Sequence, residues 1–143
     1  MMAGIRSKNT KPEILIRKGL HARGLRYSLH SKNLPGKPDI VMPKWKVIIF
    51  VHGCFWHRHE CALSTLPENN RDFWRKKLSE NFDRDLVTAT ALLSAGWRVA
   101  YVWECALRSK SALQQLDRGI DALVSWVKTP AAGVFTELPF ISD

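Results

Sequence analysis

Cysteine is scarce in this chain of 143 residues, with three in all. An odd count without a secretion signal argues against a disulfide framework and for reduced thiols, metal ligation or both. No apolar run approaches the roughly 20 residues that a bilayer span needs. The N-terminal MMAGIRSKNT has no signal-peptide core, so a cytoplasmic, nucleoid-associated protein is expected. Neither an internal repeat nor a low-complexity tract is visible, and the length fits one domain spanning 1–143 with a real hydrophobic core. Acidic residues are also in short supply: 13 Asp and Glu stand against 22 Lys and Arg, a formal net charge of +9. Such a field attracts polyanions, and nucleic acid or an acidic membrane surface are the obvious ones.

What is present is concentrated in Val47 to Cys61, VIIFVHGCFWHRHEC. Its first five residues are apolar and rich in β-branched side chains, which suits a strand covered on both faces. His52, Cys54, His57, His59 and Cys61 then crowd together around Phe55 and Trp56. Packing alone gives little reason for so many imidazoles and thiols in so few positions.

Upstream, Pro12 at a first helical position and Gly24 as a C-terminal cap delimit a helix with Ile16 and Leu20 on one face. Arg26 to Ser31 alternates as a half-buried strand. Leu34-Pro35-Gly36-Lys37-Pro38 is turn punctuation before the short strand Asp39 to Met42, and Pro43 to Trp45 connects it tightly to the central strand. That spacing suits an antiparallel hairpin, with Asp39 and Val51 to His52 meeting at its open end. Asp72 to Ala95 reads as a long helix carrying Leu78, Phe82, Leu86, Ala89 and Leu93 near one stripe. Trp97 to Glu104 is a fourth strand that delivers Cys105, and Leu113, Leu116, Ile120, Leu123 and Val127 mark a last helix. The tail from Pro130 has no strong periodicity and reads as mobile. Helix, three strands, helix, strand, helix is the order of an α/β protein with a small mixed sheet flanked by helices.

Cys54-x4-His59-x-Cys61 supplies three ligands and Cys105 can supply a fourth, a Cys3His set suited to tetrahedral structural Zn2+. The competing reading is two buried thiols and solvated histidines. A His-Glu-x-x-His helix is absent, as is the His-x-Glu with Pro-Cys-x-x-Cys pair of zinc deaminases. If zinc takes His59, then His52 and His57 remain to converge with Asp39 as a hydrolytic set. Asp39 is a hard oxygen ligand suited to Mg2+; His57 could accept a proton from an attacking water, and His52 could orient a phosphate or a metal-bound water. Phe55 and Trp56 cannot easily both point inward, and an exposed aromatic on a basic protein suits stacking on or wedging between bases; packing beneath the zinc loop is the alternative. Trp74 admits the same two readings.

LPGKPDIV, VIIFVHGCFWHRHEC, RDFWRKKL with Asn81 and Asp85 following, and GWRVAYVWECAL together resemble the Vsr family of DNA mismatch endonucleases, the very short patch repair enzymes, from Met2 to the last helix. The resemblance implies a restriction-endonuclease-like (PD-(D/E)XK-type) fold acting as a monomer on double-stranded DNA, with mismatch-repair proteins as partners. The implied reaction is a strand-specific nick 5′ to the thymine of a T:G mismatch. Carried over by position, Asp39 and the backbone carbonyl of Val51 hold Mg2+, His57 is the general base with His52 its partner, and Glu13 is an acidic position near the active centre. Cys54, His59, Cys61 and Cys105 match the structural zinc set. Phe55 and Trp56 match a major-groove wedge, Met2 a minor-groove wedge, and Trp74 an aromatic beside the intercalation site. Val51 stands where a threonine can occur, which a carbonyl ligand tolerates, and the N-terminal arm is expected to be short. A non-catalytic zinc-containing DNA-binding module and a related nuclease with a different target are the alternatives.

Overall fold

Strand β3, Val47–His52, runs through the centre of the structure, a computed structural model that describes residues 11–53, 68–105, 114 and 116–138. The turn Pro43–Trp45 joins it to β2, Ile40–Met42, and closes when Lys46, in the left-handed region at φ 56°, donates its N–H to the Pro43 carbonyl. The hairpin is antiparallel with Ile40 opposite Ile49 and Met42 opposite Val47. On its other side β3 pairs in parallel with β4, Arg98–Trp103, in a register running from Val47↔Arg98 to His52↔Trp103. Strand β1, Ser28–Leu29, is antiparallel to β2, and β5, Phe135–Leu138, is parallel to β4. The five strands therefore stand in chain order across one mixed sheet.

Strand alternation divides the core in two. Ile40, Met42, Val47, Ile49, Ala100 and Val102 pack against helices α1, Lys11–Ala22, and α3, Leu116–Lys128. These two helices touch closely at Gly19, where an added Cβ would lie 2.4 Å from Ile120 Cδ1. Val41, Ile48, Phe50 and Val99 face Leu92 of helix α2, Arg71–Ser94. A sheet covered on both faces accounts for the unbroken apolar run in β3.

Three expectations change. The segment after Pro130 is built into the sheet: Pro130–Ala132 turns and β5 follows, its periodicity weak because an edge strand with exposed Phe135 is held by main-chain pairing and one buried cation. Arg98 donates to the carbonyls of Trp126, Val127, Thr129 and Gly133 at 2.7 to 3.2 Å, tying the end of α3 to the start of β5. The first strand shrinks to Ser28–Leu29, both exposed, since it lies at the sheet edge and pairs on one side only, with β2. Helix α2 buries Leu78, Ala89 and Leu92, whereas Phe82 and Leu86 of the expected stripe are exposed. Its contact with the sheet is made chiefly by its C-terminal turns.

Candidate active site

Parallel strands β3 and β4 end side by side, and an open cleft of about 330 Å³ lies at that end. Phe50, Val51 and His52 of β3 and Tyr101 of β4 line it from the sheet, Arg84, Asp85 and Thr88 from α2, and Gly36, Lys37 and Asp39 from the turn before β2. Ligand sites in α/β sheets favour the carboxyl ends of strands, because there the loops diverge and leave a crevice. Gly36 fixes the cleft wall: its φ is +76°, and a Cβ there would meet Thr88 Cγ2 at 2.4 Å and the Phe50 ring at 3.3 Å.

Asp39 sits at the open end of the hairpin, and its Oδ2 accepts the Val51 backbone N–H at 2.8 Å. Burial pushes the Asp39 carboxyl up to about 6, with the nearby Glu13 charge adding to the rise, while the Val51 hydrogen bond and His30 act in the opposite direction. Glu13 comes from the first turn of α1 and is 2 % exposed. Its Oε2 meets both Arg17 Nη2 and His30 Nε2, the latter at 2.6 Å. Donor atoms of Glu13, His30 and Asp39 all lie within 4.8 Å of one another, an arrangement able to hold a metal ion. The donor chemistry fits a divalent cation: two carboxyl groups stand close together with little solvent around them, and a cation between them would offset both the burial that chiefly raises Asp39 and the smaller repulsion from Glu13.

His52 lies on the α2 side of the sheet, buried among rings, with centroids of Tyr101 at 4.5 Å, Trp103 at 5.1 Å and Phe50 at 5.6 Å. Its carbonyl accepts the Glu104 N–H at 2.9 Å, which fastens the ends of β3 and β4 together. Cys105 follows directly and is half-buried. Trp74, in the first turn of α2, packs edge-on against exposed Phe73 at 5.2 Å and, at 1.5 Å rise per residue, stands about 16 Å along the helix from Asp85 in the cleft.

The structure thus brings Glu13, Asp39, Val51 and His52 to one end of the sheet and sets Trp74 apart. Met2, Cys54, Phe55, Trp56, His57, His59 and Cys61 lie outside the described residues. Sequence reading missed His30 and Arg17 as partners of Glu13. Pairing Leu29 with Ile40 puts residue 30 opposite residue 39, but so short a strand offers no register to read from the sequence.

Residues 1–63 match the family model described as DNA mismatch endonuclease Vsr. A type II nicking enzyme of Xanthomonas oryzae, V.XorIIP, is 48% identical over 120 residues, covering 84% of this chain and 88% of that protein. The type II nicking enzyme V.NmeAIP of Neisseria meningitidis is 44% identical over 80% of this chain and 82% of its own length. The DNA mismatch endonuclease Vsr of Escherichia coli is 39% identical over 78% of this chain and 72% of its own length. Among solved structures, the catalytic domain of the homing endonuclease I-Bth0305I aligns with 84% of this chain and 97% of that domain, at 21% identity and a TM-score of 0.48. No helix among the described residues is long and apolar enough to cross a membrane. Identities of this extent over most of the chain, with the family match across the segment carrying Glu13, Asp39 and His52, mean that the chain belongs to the Vsr family and is a DNA endonuclease.

Proposed function

We propose that this endonuclease nicks one strand of duplex DNA 5′ to the thymine of a T:G mismatch, using Mg2+. The observation that carries this reading is the latch between Asp39 and Val51, which presents a carboxylate in an open cleft beside His52. Asp39, with the Val51 carbonyl and with Glu13 close by, would hold the cation; Mg2+ suits such oxygen donors. When bound, it supplies Lewis-acid stabilisation of the charge that builds on the phosphoryl oxygens. The Val51 N–H keeps the Asp39 carboxylate turned toward the cleft. His52 orients the phosphate from its aromatic nest, and His57 takes the proton of the attacking water. Lys37 and Arg84 on the cleft rim add positive charge where the strand backbone must pass.

Cys54, His59, Cys61 and Cys105 would hold a structural Zn2+, tying the segment after β3 to the end of β4. The register His52↔Trp103 supports this, since it leads the chain toward Cys54 and toward Cys105 from adjacent strand ends. Phe55 and Trp56 wedge from the major groove and Met2 from the minor groove, with Trp74 beside them. A mismatched step is cheap to unstack, so selection works through deformability as well as base edges. We read the whole chain as one restriction-endonuclease-like domain, monomeric and cytoplasmic at the nucleoid, acting ahead of repair synthesis and alongside mismatch-repair proteins. A panel of matched, T:G and other mismatched duplexes with Mg2+ tests the reading: the T:G duplex is nicked, and equal cutting of matched DNA rejects the specificity. One zinc per chain, lost on Cys105→Ser, is the expected metal content.

A further inference from the structure

His30 links Glu13 to the backbone of Asp39 through different parts of itself. Its Nε2 lies 2.6 Å from Glu13 Oε2, and its backbone N–H donates to the Asp39 carbonyl at 3.0 Å. Helix α1 and the β2–β3 hairpin are thereby tied together by one residue. Its backbone is in the left-handed region, φ 49°, a conformation that costs a side-chain-bearing residue about 1–2 kcal/mol. Strain of this kind persists where the surroundings enforce it, and here it directs an imidazole onto a buried carboxylate. Since its Nε2 meets Glu13 Oε2, the imidazole is placed to set the position of Glu13.

We propose that His30 is a positioning residue for DNA cleavage, fixing the separation of Glu13 and Asp39 so that the pair accepts a divalent cation. This rests on the reading of Asp39 as the cation-holding carboxylate. Groups that orient metal-binding side chains typically contribute about 10–100-fold in metal affinity.

Two amide replacements separate the side chain from the backbone. Asn tolerates the left-handed region but is too short to reach Glu13, whereas Gln can reach it and donate. Mn2+ binding to the DNA-free protein by electron spin resonance, and the Mg2+ concentration that half-saturates nicking, are measured for the wild type, His30→Asn, His30→Gln and Asp39→Ala. In His30→Asn, Mn2+ affinity is expected to fall about 10-fold or more, with a matching rise in the Mg2+ requirement and a smaller loss of rate at saturating Mg2+. His30→Gln is expected to recover most of both. Wild-type Mn2+ affinity and Mg2+ requirement in His30→Asn overturn the proposal, as do losses of equal size in Asn and Gln that follow thermal stability. If Asp39→Ala itself binds Mn2+ and nicks normally, the metal reading beneath the proposal fails; if Asp39→Ala loses both and His30→Asn loses neither, only the role of His30 fails.

Discussion

The Asp39 carboxylate accepts the backbone N–H of Val51 at 2.8 Å, across the open end of the β2–β3 hairpin. This bond orients a side chain that burial would otherwise prefer neutral, and its carboxyl titrates near 6 instead of at the ordinary 3.8. The site therefore holds a poorly solvated acid on a backbone donor, ready for a cation.

Asp39→Asn should lose nicking yet stabilise the metal-free protein. Because the folded state binds the Asp39 proton more tightly than the unfolded chain does, this group's contribution is fully present below 3.8 and declines as pH rises to about 6. At pH 8 in a chelator the Asn variant, which keeps an oxygen for Val51, should be more stable by about 1–3 kcal/mol. At pH 3 the difference should vanish. Chemical denaturation at both pH values checks this, and a less stable Asn variant at pH 8 would contradict it. Added Mg2+ should raise the melting temperature of the wild type and leave the variant unmoved.

Why Asp39 was legible and His30 was not follows from where each gets its position. The hairpin is local: turn residues Pro43 to Trp45 and two apolar runs determine which residues meet at its open end, so Asp39 beside Val51 could be read from spacing. The sheet's two-sided burial was equally readable from the apolar run of β3. His30 depends on a two-residue strand and a left-handed backbone, neither of which has a pattern long enough to see. Strand β5 escaped for a different reason, because its partner is β4 and its anchor is Arg98, 35 residues before Gly133. On α2, Phe82 and Leu86 kept helical spacing but not burial; periodicity shows which face is apolar and not how much of the helix the sheet covers.

Gly36→Ala should damage the cleft in two separable ways. The positive φ strains any side chain there by about 1–2 kcal/mol, and the new methyl collides with Thr88 Cγ2 and presses the Phe50 ring. Thr88→Ser removes the colliding methyl but not the backbone strain. The double variant should therefore regain part of the stability and nicking rate lost in Gly36→Ala. No regain would place the whole effect in the backbone.

Arg98 is 6 % exposed, serves four carbonyls and lies over the Trp126 ring at 4.0 Å. Arg98→Ala strands those acceptors and should cost about 3–5 kcal/mol. Hydrogen exchange should report first at Val99, whose N–H bonds the Val134 carbonyl at 2.8 Å, and along β5. Arg98→Lys cannot reproduce the fork and should recover only a minor part. Protection along β5 unchanged in the Ala variant would show that main-chain pairing alone holds the strand.

His52 is tightly packed and also lines the cleft, so the two roles need variants that separate them. His52→Phe keeps an aromatic ring among Tyr101, Trp103 and Phe50, and the modest overpacking should cost about 1–2 kcal/mol at most. Nicking should nonetheless fall about 10²–10⁴-fold, the usual size of a lost proton-handling or phosphate-orienting group. His52→Ala opens a cavity between the rings and should lose both activity and about 2–4 kcal/mol of stability. Comparing the two by melting temperature and single-turnover nicking gives a clear division: a Phe variant that folds and nicks like the wild type assigns His52 to packing alone, whereas one that folds and does not nick assigns the imidazole to the chemistry.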